Sequence, residues 1–194
     1  MEPVIFALLG VVVTLACLFG HRRFLSFLAQ KPTDYAEATE LFDIRSHLNG
    51  TLICKGVIYG PTGRVASRFV GHFDARWDGN DGVMSEHFIY DGGTTQDRAW
   101  HLKVLPDGNI EARAEDVVGV GSGQQQGSAV QLKYRIKLPE ASGGHELDVV
   151  DWMYLAPNGS IVNRSQFCKF GIQVAELVAT IRPVAAESED REAA

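Results

Sequence analysis

Val130-Gln131-Leu132-Lys133-Tyr134-Arg135-Ile136-Lys137-Leu138 alternates apolar with polar or charged side chains along its whole length. A period of two puts Val130, Leu132, Tyr134, Ile136 and Leu138 on one face and the Gln, Lys and Arg side chains on the other, as in a β-strand between a core and water. A helix of the same sequence would scatter its charges around the whole circumference. The stretch therefore selects a sheet.

The pattern repeats upstream. From Arg64 to Trp77, the residues Phe69, Gly71, Phe73, Ala75 and Trp77 share one face, while Arg68, His72, Asp74 and Arg76 share the other. Between such runs lie Asp78-Gly79-Asn80-Asp81-Gly82, Asp91-Gly92-Gly93, Pro106-Asp107-Gly108-Asn109, Gly121-Ser122-Gly123, Ala141-Ser142-Gly143-Gly144 and Pro157-Asn158-Gly159. These residues accept positive φ or preset a turn, as hairpin connections demand. Eight to ten strands are expected between Thr51 and Arg182, in series and without crossover helices. That order favours an antiparallel up-and-down barrel, because closure removes exposed sheet edges. A two-sheet sandwich is the alternative.

Ahead of the strands, every residue from Val4 to Gly20 is apolar or small except Thr14, and His21-Arg22-Arg23 follows. As a helix the run spans roughly 25 Å, near the thickness of a bilayer core once Arg22 and Arg23 reach the headgroups. The expected organisation is a single-pass membrane anchor over 1–23, a helical connector over 24–49, the barrel over 50–183 and a disordered acidic tail over 184–194. A cleaved secretory signal fits poorly, because Met1-Glu2-Pro3 carries no basic side chain. Thr14-Leu15-Ala16-Cys17 only faintly resembles a lipid-attachment site, and Cys17 reads as a small hydrophobe inside the span. The Arg pair places the barrel in the cytoplasm by the positive-inside rule, with the periplasm as the alternative. In the connector, Asp34-Tyr35-Ala36-Glu37 has the spacing of a helix start with Asp34 as N-cap, and a second short helix is expected from Asp43 to before Asn49.

A formal charge of −6 with scattered Lys and Arg argues against nucleic-acid binding. Cys17, Cys54 and Cys168 are too few and too far apart for a disulfide framework or a zinc site. There is no Gly-x-Ser-x-Gly elbow, and Gly119-Val120-Gly121-Ser122-Gly123 lacks the Lys and the helix of a phosphate loop. No cofactor and no catalytic residue is indicated. His72, His87 and His101 fall on three successive strands, but the charged neighbours of His72 make exposed histidines, rather than a metal site, the expectation.

Asp151 stands out within Leu147-Asp148-Val149-Val150-Asp151-Trp152-Met153-Tyr154-Leu155, sharing a face with Leu147, Val149, Met153 and Leu155. A carboxylate on an apolar face needs a partner, and Arg164, one hairpin later, is the expected cross-strand mate. That pair is either a structural register pin or a polar anchor for a ligand head group. Asp116 is expected to end a strand or cap a turn. Trp152, Trp100, Tyr134 and Phe73 are candidate lining residues of a lumen, with ordinary core packing as the competing reading.

Gly56-Val57-Ile58-Tyr59-Gly60-Pro61-Thr62-Gly63-Arg64, Trp77-Asp78-Gly79, Phe88-Ile89-Tyr90-Asp91, Arg98-Ala99-Trp100, Asp116-Val117-Val118-Gly119, Asp151-Trp152-Met153-Tyr154-Leu155 and Asn163-Arg164-Ser165 resemble the bacterial family known as the domain of unknown function 3833, from about Phe42 to Arg182. The resemblance implies a calycin-like barrel, similar in shape to lipocalins, in the cell envelope. It transfers no catalytic residue. The leading expectation is an inner-membrane-anchored barrel that takes a small apolar or amphipathic ligand such as a lipid. A non-catalytic interaction module with a solid core is the alternative, and an enzyme built on Asp151 has least support.

Overall fold

The computed structural model describes residues 2–184. The acidic stretch from Ala185 onward, expected as a tail, lies outside the described residues.

Helix α1 (Glu2–Phe24) includes the Arg pair, and none of its span Pro3–His21 is buried against the rest of the chain. With a mean hydropathy of 2.5, it is the one helix among the described residues long and apolar enough to cross a membrane. A four-residue helix α2 (Ile44–His47) follows the connector, with the Asp43 carboxylate accepting from the Arg45 N–H at 3.0 Å.

Ten strands then run in sequence: β1 (Gly50–Tyr59), β2 (Val65–Asp78), β3 (Asp81–Tyr90), β4 (Thr95–Val104), β5 (Asn109–Arg113), β6 (Gly121–Gln126), β7 (Ala129–Lys137), β8 (Glu146–Leu155), β9 (Ile161–Lys169) and β10 (Ile172–Pro183). Each pairs antiparallel with the next, and β10 returns to β1 through Leu52↔Pro183 to Tyr59↔Glu176, closing the sheet. The up-and-down barrel is thus found, and the sandwich is not. Closure gives β1 and β10 the partners that two edges would lack.

Alternation sorts every strand into an inner and an outer face. Leu52, Phe73, Ala75, Met84, Trp100, Leu102, Val104, Ile110, Ala112, Val130, Leu132, Met153, Ile161 and Ile181 point inward and are buried. Because successive strands reverse, the turns leaving β2, β4, β6 and β8 all lie at one end. There Phe42, Ile44 and Leu48 from the connector and α2 enter the core at 2%, 0% and 1% exposure, and Trp77 Nε1 donates to the Leu48 carbonyl at 2.8 Å. This end is plugged. The opposite end, with the turns after β1, β3, β5, β7 and β9, is the mouth.

The connector departs from expectation. No helix starts with Asp34 as its cap. A 3-10 turn runs from Pro32 to Tyr35, and Asp34 is its third residue, its carboxylate accepting from the Lys31 N–H at 2.8 Å. Pro32 suits the first position of a turn, and the apolar side chains then bind the barrel instead of extending a helix. Phe27 and Tyr35 cover Trp152 on the outer wall; the Tyr35 ring centroid is 5.3 Å from Trp152 and 5.5 Å from Tyr154. Gln30 Oε1 accepts from the hydroxyls of both Tyr35 and Tyr154. The segment is a strap across β7, β8 and β9.

Gly127 seats the foot of the strap. Its φ is +53°, and a Cβ there would meet the Tyr35 carbonyl oxygen at 1.7 Å, while its own carbonyl accepts from the Phe42 N–H at 2.8 Å. Gly127→Ala is therefore expected to destabilise the protein by about 2 kcal/mol or more, from left-handed strain plus displaced backbone. Hydrogen exchange should accelerate over residues 27–42 and much less in β3 and β4; uniform acceleration would refute a local cause.

Candidate functional site

Nearer the mouth, the inner wall changes character. Ile58, Phe88, Tyr90, Arg98, Tyr134, Asp151 and Leu177 face inward yet retain solvent contact, in contrast to the sealed layers around the plug. Phe69 and Phe88 meet edge-on at 5.4 Å between centroids, Phe73 and Phe88 likewise, and Trp100 and Tyr134 at 5.1 Å. A layer of partly buried aromatics packs on the solid interior and faces the mouth.

Polar groups stand at that boundary. Arg98 on β4 lays its guanidinium over Trp100, 4.0 Å from the ring centroid, and its Nε donates to Asp116 Oδ1 at 2.9 Å. Stacking on an indole and pairing with a carboxylate fix an Arg firmly. Asp116 lies in the turn region between β5 and β6, where its backbone carbonyl also accepts from the Lys137 N–H. The turn expected at this residue is present, and its carboxylate has a partner the sequence did not suggest.

Glu86 on β3 is opposite Phe73 on one side and Arg98 on the other, and is 7% exposed. Burial pushes its carboxyl up to about 8, with Arg98 opposing and the charges of Asp151 and Asp116 adding to the rise. Near neutral pH Glu86 therefore carries its proton. Glu86 Oε2 and Arg98 Nη2 have no hydrogen-bond partner among the described residues. Leaving such groups unpaired in a dry site costs about 1–3 kcal/mol each, so a ligand offering both an acceptor and a donor would gain by meeting them.

Across the lumen, Asp151 is on the apolar face the alternation predicts, but its partner is not Arg164. The β8–β9 register sets Asp151 opposite Ser165 and Trp152 opposite Arg164. A one-residue offset puts Arg164 on the outer wall. There it pairs with Glu176 and lies over Phe27 at 4.5 Å. Asp151 Oδ1 instead accepts from Asn163 Nδ2 and from Ser165 Oγ at 2.9 Å, and Asn163 also donates to the Trp152 carbonyl at 3.1 Å. Burial raises the Asp151 carboxyl, while these two donors and Arg98 pull it back.

Of the candidate lining residues, Trp100 and Phe73 are buried in the core layer, and Tyr134 is in the partly buried layer above it, edge-on to Trp100. Trp152 is not: it is wholly buried on the outer wall beneath the strap. Glu86, Arg98, Asn163 and Ser165 were absent from the sequence-derived set. Alternation carried the signal for the first two, since Glu86 sits between Met84 and Phe88 in period two and Arg98 precedes Trp100 by two.

His72, His87 and His101 are exposed on the outer wall. His72 and His87 are cross-strand neighbours, and His87 Nδ1 is 2.6 Å from Asp97 Oδ1. Among the described residues no group of three His, Cys, Asp or Glu side chains could hold a metal ion. Cys54 lies deep in the barrel, where burial raises its thiol, and forms no disulfide.

A family model described as "Protein of unknown function (DUF3833)" matches residues 23–183. No curated protein matches the chain. Among solved structures, a protein from Bacteroides fragilis with a YmcC-like fold is 10% identical, with a TM-score of 0.33, over 68% of this chain and 94% of that one.

Proposed function

Because the chain belongs to the DUF3833 family, whose description carries no activity, we propose its function from geometry: a membrane-anchored, calycin-like barrel that holds one small amphipathic molecule, such as a lipid, in the mouth-side chamber. The observation that carries this reading is the pair of unpartnered polar atoms, Glu86 Oε2 and Arg98 Nη2, beside the partly buried aromatic layer at the mouth. Pockets of this kind are mostly apolar with a few convergent polar groups. Arg98 and protonated Glu86 would orient the polar end, and Phe88, Tyr90 and Tyr134 would cover the apolar part. Helix α1 would span the bacterial inner membrane once, with the barrel on the cytoplasmic side by its Arg pair.

The solid-core interaction module remains the competing reading, favoured by the fully buried layers around the plug. Native mass spectrometry and solvent extraction of the detergent-purified full chain separate the two. The wild type should carry a co-purified small molecule in one-to-one ratio. Arg98→Met, which keeps the stem packed on Trp100 but removes the donor, should reduce that occupancy about tenfold, equivalent to about 1.4 kcal/mol. Asp151→Asn should reduce it less, because Asn163 and Ser165 already bond that carboxylate. A wild-type barrel that carries nothing would leave the solid module standing.

A further inference from the structure

The geometry points to a second lipid contact: the mouth of the barrel rests on the bilayer, and the β9–β10 hairpin inserts Phe170 and Ile172 at the headgroup–acyl boundary. This goes beyond ligand binding and rests on the anchoring role proposed for α1.

The hairpin turns through Phe170 and Gly171, with Lys169 opposite Ile172. Phe170 has φ +51° and is the only described non-glycine residue with positive φ. Turns of this shape favour Asn, Asp or Gly, and a bulky side chain there is strained. It is also 92% exposed, and Ile172 is 70% exposed. Strain combined with full exposure of an aromatic ring has no stabilising return in water. At an interface the ring would bury, and Lys169, whose Nζ lies 5.7 Å from the Phe170 centroid, would reach the headgroups.

At the mouth Val65, Ile89, Val118 and Val120 are exposed alongside Phe170 and Ile172. The turns of the plugged end read Asp78-Gly79-Asn80, Pro106-Asp107-Gly108, Gln126-Gly127-Ser128 and Pro157-Asn158-Gly159. Polar turns occur at the mouth as well, at Gly60-Pro61-Thr62-Gly63-Arg64 and Asp91-Gly92-Gly93, and Leu41, Val83 and Val162 are exposed toward the plugged end, so Phe170 and Ile172 are what set the mouth apart.

The strap supplies the tether. From the plug it passes Phe42 at Gly127, Tyr35 over Trp152 and Tyr154, then Phe27 over Arg164, the residue opposite Trp152, so it crosses from β7 to β9 at nearly one level. α1 ends at Phe24, three residues before Phe27, and Phe24 and Leu25 continue the exposed apolar surface at 73% and 77%. From Arg164 to Lys169 β9 rises roughly 17 Å. A bilayer holding α1 is thus within reach of the mouth at a high effective concentration, which a protein partner from solution would not match.

The test uses the full chain in phosphatidylcholine vesicles with and without brominated acyl chains, comparing Phe170→Trp with Asp107→Trp at the plugged end. Both variants share the same three native tryptophans as background. Severalfold stronger bromine quenching in F170W than in D107W is the expected result. Vesicle flotation is read in parallel: a chain that does not float removes the anchor reading and this proposal with it. A chain that floats with F170W quenched no more than D107W overturns only the mouth-down orientation. A blue shift in F170W without bromine quenching would mark a protein contact, including a second copy of this chain, and would also overturn it.

Discussion

Glu86→Gln is expected to make the protein more stable at alkaline pH than the wild type, by about 4–5 kcal/mol at pH 9, and to change little at pH 5. The sign follows from linkage. An unfolded Glu titrates near 4.5, whereas the buried carboxyl holds its proton up to about 8. Below 4.5 both states are protonated, and Glu86 contributes no pH dependence. Between the two values the folded state keeps a proton that the unfolded state has released, so stability falls as pH rises, by about 1.4 kcal/mol per unit. Above 8 the loss is complete. Gln keeps the shape and the neutral charge and has no proton to lose. Thermal melts of both proteins from pH 5 to 9 would show curves that meet at the acid end and diverge above neutrality. Parallel curves would mean that Glu86 is ionised throughout, and the chamber would then be a charged site rather than a polar one.

Trp152→Ala should cost about 3–5 kcal/mol, the usual price of truncating a fully buried aromatic. The side chain is 0% exposed although it sits on the outside of the barrel, enclosed by Phe27 and Tyr35 and stacked on Tyr154 at 5.8 Å with only 4° between the ring planes. Truncation opens a void under the strap and removes the surface on which Phe27 and Tyr35 rest. The expected signature is a large drop in melting temperature with strand content intact, and exchange in residues 27–42 approaching that of free peptide. Equal loss of protection in β3 and β4 would show that Trp152 supports the whole barrel and not the strap.

The strands were legible because their pattern is local. Val130 to Leu138 reads as a strand from its own alternation, and β7 occupies Ala129–Lys137; Arg64 to Trp77 likewise becomes β2 (Val65–Asp78). Closure was legible from the expected eight to ten serial strands, which would otherwise leave two edges. The inward direction of Asp151 was legible too. Its partner was not, because pairing it with Arg164 required the β8–β9 register, and a shift of one residue exchanges the inside for the outside. Trp152 misled for a related reason: burial on the outer face depends on a segment more than a hundred residues away folding back over it, which no local period encodes. Glu86 and Arg98 could have been found by applying to β3 and β4 the question asked of Asp151: which charged side chain shares a face with apolar neighbours.

The seam between β1 and β10 joins the first strand made to the last. The barrel cannot close until residues near Pro183 have emerged from the ribosome, since the wall lacks its final stave until then. At synthesis rates of about 5–20 residues per second, the leading helix is available to the membrane for several seconds before the barrel can shut. On the anchoring proposed for α1, the nascent sheet would be an open trough beside the bilayer throughout that interval, so a hydrophobic guest could be enclosed during biogenesis rather than threaded in afterwards.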